Sequence, residues 1–137
     1  MTDMLLYAAG RIGATAELGL DACGLQADSR GKLSVDAKSM QTVVPHIYAA
    51  GDVIGFPSLA STSMEQGRIA ACHAFGAPLP KGAEIFPFGI YAVPEISSVG
   101  MTENAARAAG LQFEVGVARL RETSRGHIMG VGGGLLK

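Results

Sequence analysis

Gly51-Asp52 is the pair of residues in this 137-residue chain whose types and position point to ligand chemistry. It follows the apolar run Ile47-Tyr48-Ala49-Ala50. Glycine permits a backbone conformation or a close approach that a side chain would block, and the carboxylate supplies an acceptor suited to a hydroxyl-rich ligand. Shortly after, Ser58-Leu59-Ala60-Ser61-Thr62-Ser63 reads as the start of a helix reaching Ala71, with a choice of serine and threonine N-caps. The N–H groups of that first turn and the positive end of the helix dipole can hold an anion or a charge that develops during reaction. Each feature also has a plainer reading. A Gly-Asp pair after a strand is an ordinary turn with an aspartate cap, and the small residues Ala60, Gly67, Ala70, Ala71 and Ala74 suit tight helix-to-sheet packing as well as a flat ring.

The remaining reactive side chains form no catalytic pattern. His46, His73 and His127 lack metal-ligand spacing, and no serine, histidine and acid arrangement follows from their order. Cys23 and Cys72 belong to no Cys-x-x-Cys motif and read as free core thiols. The expectation is a site that binds and positions, with no catalytic residue and no metal.

The elements that must position these residues follow from periodicity. Residues 42–53 read as a strand buried on both faces of a parallel sheet, closed by Gly51-Asp52. Leu18 to Leu25 suits a short turn or helix, Asp28-Ser29-Arg30-Gly31 a hairpin-like turn, and Lys32 to Val35 a short strand. Phe86 to Val93 reads as a strand, with Pro87 favouring an edge or entry position. Thr102 caps a helix through Ala109 that Gly110 ends. Phe113 to Leu120 and Gly126 to Val131 supply two further strands. The cluster Gly130-Val131-Gly132-Gly133-Gly134 has no helix after it to cradle a pyrophosphate, and reads as a bend beside a strand.

Composition sets the class. The chain is 48% hydrophobic and 17% charged, with a formal net charge of −1, as expected for a globular piece. Near neutrality argues against nucleic acid or an anionic membrane as partner. The nearest basic cluster, Arg119, Arg121 and Arg125, is interrupted by Glu122 and reads as a solvated strand face or a set of subunit contacts. No apolar run approaches the length of a membrane span, and no signal segment is evident, so a cytoplasmic location is the expectation.

Four blocks in order resemble one family. Leu5-Leu6-Tyr7-Ala8-Ala9-Gly10-Arg11, the Pro45-His46-Ile47-Tyr48-Ala49-Ala50-Gly51-Asp52-Val53 block, Pro57-Ser58-Leu59-Ala60-Ser61 with Gln66-Gly67-Arg68, and Gly89-Ile90-Tyr91-Ala92-Val93-Pro94-Glu95 are similar to the two-dinucleotide-binding flavoprotein disulfide reductases. Within it they are most similar to the members that pass hydride between NADPH and NAD through FAD. The dihydrolipoamide dehydrogenases are the nearest competitor, and more usually carry histidine where Ser61 stands.

The resemblance implies an α/β fold, α+β in its second part: the returning part of a Rossmann-like FAD domain, then the first part of an α+β interface domain. By that reading residues 1–11 end the nicotinamide-nucleotide domain, residues 12–80 belong to the FAD domain, and residues 81–137 open the interface domain, with Pro78-Leu79-Pro80-Lys81-Gly82 as linker. It further implies FAD as cofactor, NAD(P)H as substrate of a longer parent protein, and a parent that is a homodimer or higher homo-oligomer. Asp52 would then accept from a ribitol hydroxyl, with Gly51 admitting the chain. The N–H groups near Leu59, Ala60 and Ser61 would face the pyrimidine edge of the ring, and Gly10 would pass the FAD adenosine. The family's opening G-x-G-x-x-G motifs are not matched by these residues, so the chain is expected to be a slice of the parent, inactive alone or an inert remnant. It should expose apolar faces and unpaired edges, and so either self-associate or lack order, especially before Leu5 and after His127.

Overall fold

The computed structural model describes residues 3–79 and 85–137, which fall in two units, Met1–Gly100 and Met101–Lys137. The linker prolines divide accordingly: Pro78 is described, whereas Pro80, Lys81 and Gly82 lie outside the described residues.

In the first unit the chain opens as unpaired, exposed backbone, with Met4, Leu5, Leu6 and Tyr7 between 84% and 90% exposed. It then crosses itself. The Gly13 amide donates to the Arg30 carbonyl at 2.7 Å, and a Cβ on Gly13 would stand 1.8 Å from the Gly31 oxygen. The buried Thr15 hydroxyl seals the crossing by donating to that same oxygen at 3.1 Å. Leu20–Cys23 forms a 3₁₀ turn within the segment expected to be a turn or helix. The Asp28 carboxylate accepts from the amides of Arg30 and Lys32, each at 2.8 Å, which makes residues 28–31 the expected turn. Residues 32–35, expected as a short strand, have no strand pairing among the described residues; the Leu33 amide donates to the Val53 carbonyl at 2.9 Å.

The segment expected to be one straight strand is a hairpin. The Thr42 hydroxyl donates to the Ile47 carbonyl at 2.9 Å and accepts from the Val44 amide at 3.1 Å, folding the chain back at Pro45-His46. Gln41 and Tyr48 then form an isolated antiparallel bridge. The apolar run Ile47 to Ala50 dominated the sequence pattern, but a threonine that satisfies both sides of a turn and a proline that offers no N–H outweigh it. A parallel strand needs a hydrogen-bonded neighbour, and among the described residues the segment Ile47 to Ala50 has only the Gln41 side.

Gly51–Ile54 forms a second 3₁₀ turn, and helix α1 follows as Ala60–Ala74. Its buried positions Thr62, Gln66 and Ile69 stand at helical spacing, with Gln66 reaching this turn, while Met64 on another face is 72% exposed. Gly76, at φ 65°, ends the helix, with Ala77 donating to the Cys72 carbonyl at 2.8 Å. Strands β1 (Phe88–Ile90) and β2 (Ile96–Ser98) pair antiparallel with Gly89 opposite Ser97. The strand expected over residues 86–93 is thus limited to three residues, because the chain turns back after Ile90. The Phe88 ring lies 4.9 Å from that of Phe56, tilted by 43°.

In the second unit, α2 (Glu103–Ala108) is capped by the Thr102 hydroxyl, which accepts from the Ala105 amide at 3.2 Å. Gly110 ends it at φ 67°, as the sequence indicates. Strand β3 (Ala118–Arg119) pairs with β4 (Leu135–Leu136). Between them lies α3 (Ser124–Met129), where a strand was expected. Thr123 caps it by accepting from Gly126, and Gly130 at φ 66° closes it, so the cap and stop outweigh the weak helix propensity of Gly126. The tail after His127 completes α3 and supplies β4, and Met1 and Thr2 lie outside the described residues.

Candidate cofactor-binding turn

Gly51 has φ 83°, a conformation that favours glycine, and a Cβ there would stand 3.2 Å from the Ser63 hydroxyl. Both reasons for a glycine apply at once. The buried Gly51 amide donates to Gln66 Oε1 at 2.7 Å. The Asp52–Val53 peptide, two along, is held as well, since the Asp52 carbonyl accepts from Lys32 Nζ and, at 3.1 Å, from the Gly55 amide. The Asp52 side chain is exposed, and among the described residues no donor reaches its carboxylate.

The start of α1 differs from the sequence expectation in one respect. Its N-cap is Leu59, with no side-chain cap. The serines bond elsewhere: Ser58 Oγ donates to the Gly55 carbonyl at 3.0 Å and Ser63 Oγ to the Leu59 carbonyl at 2.9 Å. Because the first helical bond is Ser63 N–H to Leu59, the N–H groups of Ala60, Ser61 and Thr62 precede it and receive no cap. Leu59 is half-buried, while Ala60 and Ser61 are exposed. A helix of 15 residues thus presents uncapped donors a few residues after an acceptor carboxylate.

Gly10 is not joined to this turn by any direct contact among the described residues. It is exposed at φ 104°, and a Cβ there would lie 3.8 Å from an Arg30 guanidinium nitrogen. Gln66 and Lys32, which hold the turn, were not singled out for that role from the sequence. Gln66 had one readable sign, its place with Thr62 and Ile69 on a single helix face; Lys32 had none. Of the ionisable groups in this unit, Asp28 and Asp36 are held below the usual carboxylate range. At Asp28 the cause is amide donation from Lys32 and Arg30, and at Asp36 it is the Ser39 hydroxyl followed by the Lys38 and Ser39 amides. No group of three His, Cys, Asp or Glu among the described residues is placed to hold a metal ion. None of the described helices is long and apolar enough to cross a membrane.

Comparison with known proteins decides the family. Residues 1–67 match the family model of pyridine nucleotide-disulphide oxidoreductases, and residues 86–137 match the dimerisation domain of the same family. The chain belongs to the pyridine nucleotide-disulphide oxidoreductases. It is 53% identical over 98% of its length to a soluble pyridine nucleotide transhydrogenase of Mycobacterium bovis, and 50% identical over 98% to one of Klebsiella pneumoniae. Among solved structures, it is similar to the HOCl-induced flavoprotein disulfide reductase RclA from Escherichia coli, with TM-score 0.73 and 30% identity over 94% of this chain and 30% of that one. LpdA from Mycobacterium tuberculosis follows at TM-score 0.72 and 31% identity, over 87% of this chain and 26% of that one. The chain spans 29% of the length of the curated relatives it matches. The fold class expected from the sequence, mixed helix and strand of this family followed by its dimerisation domain, is the one these relatives have.

Proposed function

We propose that this chain is the part of an FAD-dependent NAD(P)+ transhydrogenase that carries the ribitol- and ring-facing half of the flavin site. The observation that carries the reading is the 53% identity, over 98% of the chain, to a protein named a soluble pyridine nucleotide transhydrogenase. The geometry of the turn supports it, because the residues present fit the group. An exposed carboxylate without a protein donor suits a sugar-alcohol hydroxyl, and uncapped N–H groups suit a carbonyl edge.

In this reading Asp52 accepts a hydrogen bond from a ribitol hydroxyl, and Gly51 lets the turn lie against α1. The N–H groups of Leu59, Ala60 and Ser61 donate to the pyrimidine edge of the ring and favour negative charge there. Gly10 lets the chain pass the adenosine portion. FAD, when bound, supplies the hydride chemistry between NADPH and NAD, so no side chain of this segment acts as acid, base or nucleophile. Residues 1–11 close the nicotinamide-nucleotide domain, residues 12–80 return to the FAD domain, and residues 81–137 open an interface through which the parent forms a homodimer.

The test uses the full-length protein. Purified with its flavin, it should transfer hydride from NADPH to NAD without added thiol. Reduction of NAD that requires dihydrolipoamide, with no exchange between the nucleotides, would replace this reading with a dihydrolipoamide dehydrogenase.

A further inference from the structure

We infer that Gln66 is a positioning residue for the flavin site: its amide oxygen, buried inside the protein, fixes the turn that aims the Asp52 carboxylate. The inference rests on the flavin reading of Asp52 and adds a residue 14 positions away that touches no cofactor.

Gln66 is 3% exposed, an unusual place for a side chain with two donors and an acceptor unless a partner requires it. That partner is the Gly51 amide at 2.7 Å, and since an amide N–H can only donate, the group it meets is the Oε1 oxygen. Gly51 cannot find that acceptor in local structure, because at φ 83° it has left the extended backbone and its neighbours have entered a 3₁₀ turn. Without Gln66 the amide would be buried and unsatisfied, and the turn would be free to rotate about Gly51, the residue with the widest choice of backbone angles. Asp52 is the next residue, so any rotation there swings its carboxylate. Lys32 also holds the Asp52 carbonyl, but through a half-buried side chain whose bond is open to solvent. The buried bond is therefore the one that sets orientation.

The experiment is a double-mutant cycle in the full-length protein, with the dissociation constant for FAD read from flavin fluorescence and the melting temperature of each apoprotein recorded alongside. Asp52→Ala should weaken FAD about tenfold or more, the usual consequence of losing a hydrogen bond to a charged group. Gln66→Met, similar in size and without the acceptor oxygen, should weaken it to a comparable extent. If Gln66 acts through Asp52, the double variant should bind about as poorly as either single one rather than showing the product of the two losses. Gln66→Glu keeps an acceptor oxygen at the same reach and should bind within about threefold of the parent, which keeps the idea testable should Gln66→Met fail to fold.

Multiplied losses in the double variant would overturn the inference, reducing Gln66 to a packing residue. Unchanged FAD affinity in Gln66→Met, or a tenfold loss in a folded Gln66→Glu, would overturn it too. If Asp52→Ala alone left FAD affinity untouched, the flavin reading of the turn would fall and this inference with it.

Discussion

Tyr48 Oη and His73 Nδ1 share a hydrogen bond of 2.9 Å, which ties the segment entering the Gly51 turn to the last turn of α1. The two rings lie 5.7 Å apart. Together with Gln66 this pins the hairpin arm to the helix at two heights. Tyr48→Phe removes the hydroxyl and keeps the ring, so it should destabilise the first unit by about 0.5–1.5 kcal/mol. Urea unfolding of the two proteins measures the difference, and an identical midpoint would mean the bond is not made in solution.

Gly51→Ala should cost more. A non-glycine residue at φ 83° carries about 1–2 kcal/mol of steric strain, and the added Cβ would also press on Ser63 at 3.2 Å. Denaturant unfolding should show a loss of that size. Ser63→Ala in the same protein should recover only the steric part, leaving the backbone part in place.

Gly67 gives the opposite sign. It lies inside α1 at ordinary helical φ, exposed, with nothing within 4 Å of an added Cβ. Gly67→Ala should therefore stabilise the helix by about 0.5–1 kcal/mol through reduced backbone entropy of the unfolded chain. A rise in melting temperature is the expected result, and a fall would show that another part of the longer protein packs against that position.

Acid should weaken both units through specific carboxylates. Asp28, Asp36 and Glu103 are all held below their ordinary values, Glu103 by Lys137 first and then Arg107. A carboxylate whose folded value is depressed contributes stability that is fully present above its unfolded value of about 4 and is lost as pH falls through the folded one. Stability should thus be flat in pH around neutrality as far as these groups are concerned, and decline below about pH 4. Asp36→Asn should shallow that decline in pH-dependent denaturant titrations, because the Ser39 hydroxyl and the two amides then meet a neutral side chain.

The features legible in the sequence were those settled by neighbours along the chain. Thr102 and Gly110 bracket α2, and Asp28 folds its own turn, because cap, turn and stop residues act within a few positions. The Gly51-Asp52 pair was read first as a strand end and only in its plainer reading as a turn, and Gly51–Ile54 is a 3₁₀ turn. The errors came where two local signals competed. An apolar run outweighed the Thr42 turn and Pro45 in the reading of residues 42–53, and residues 126–131 were read as a strand although Thr123 and Gly130 bracket a helix there. Serines ahead of α1 suggested a side-chain cap, whereas Ser58 and Ser63 bond to carbonyls and leave the cap to Leu59. Gln66 and Lys32 were not legible as supports of the turn, since each meets a main-chain atom 15 or 20 residues away that no periodicity marks.

The bond from Gly51 reaches the second turn of α1 rather than its first. The turn therefore has two kinds of anchor: the Gly55 amide on the Asp52 carbonyl, which lies in the passage leading into the helix, and the Gln66 bond, which bypasses that passage. A displacement of the helix body is thus felt at Gly51 directly across the fold and not only along the chain.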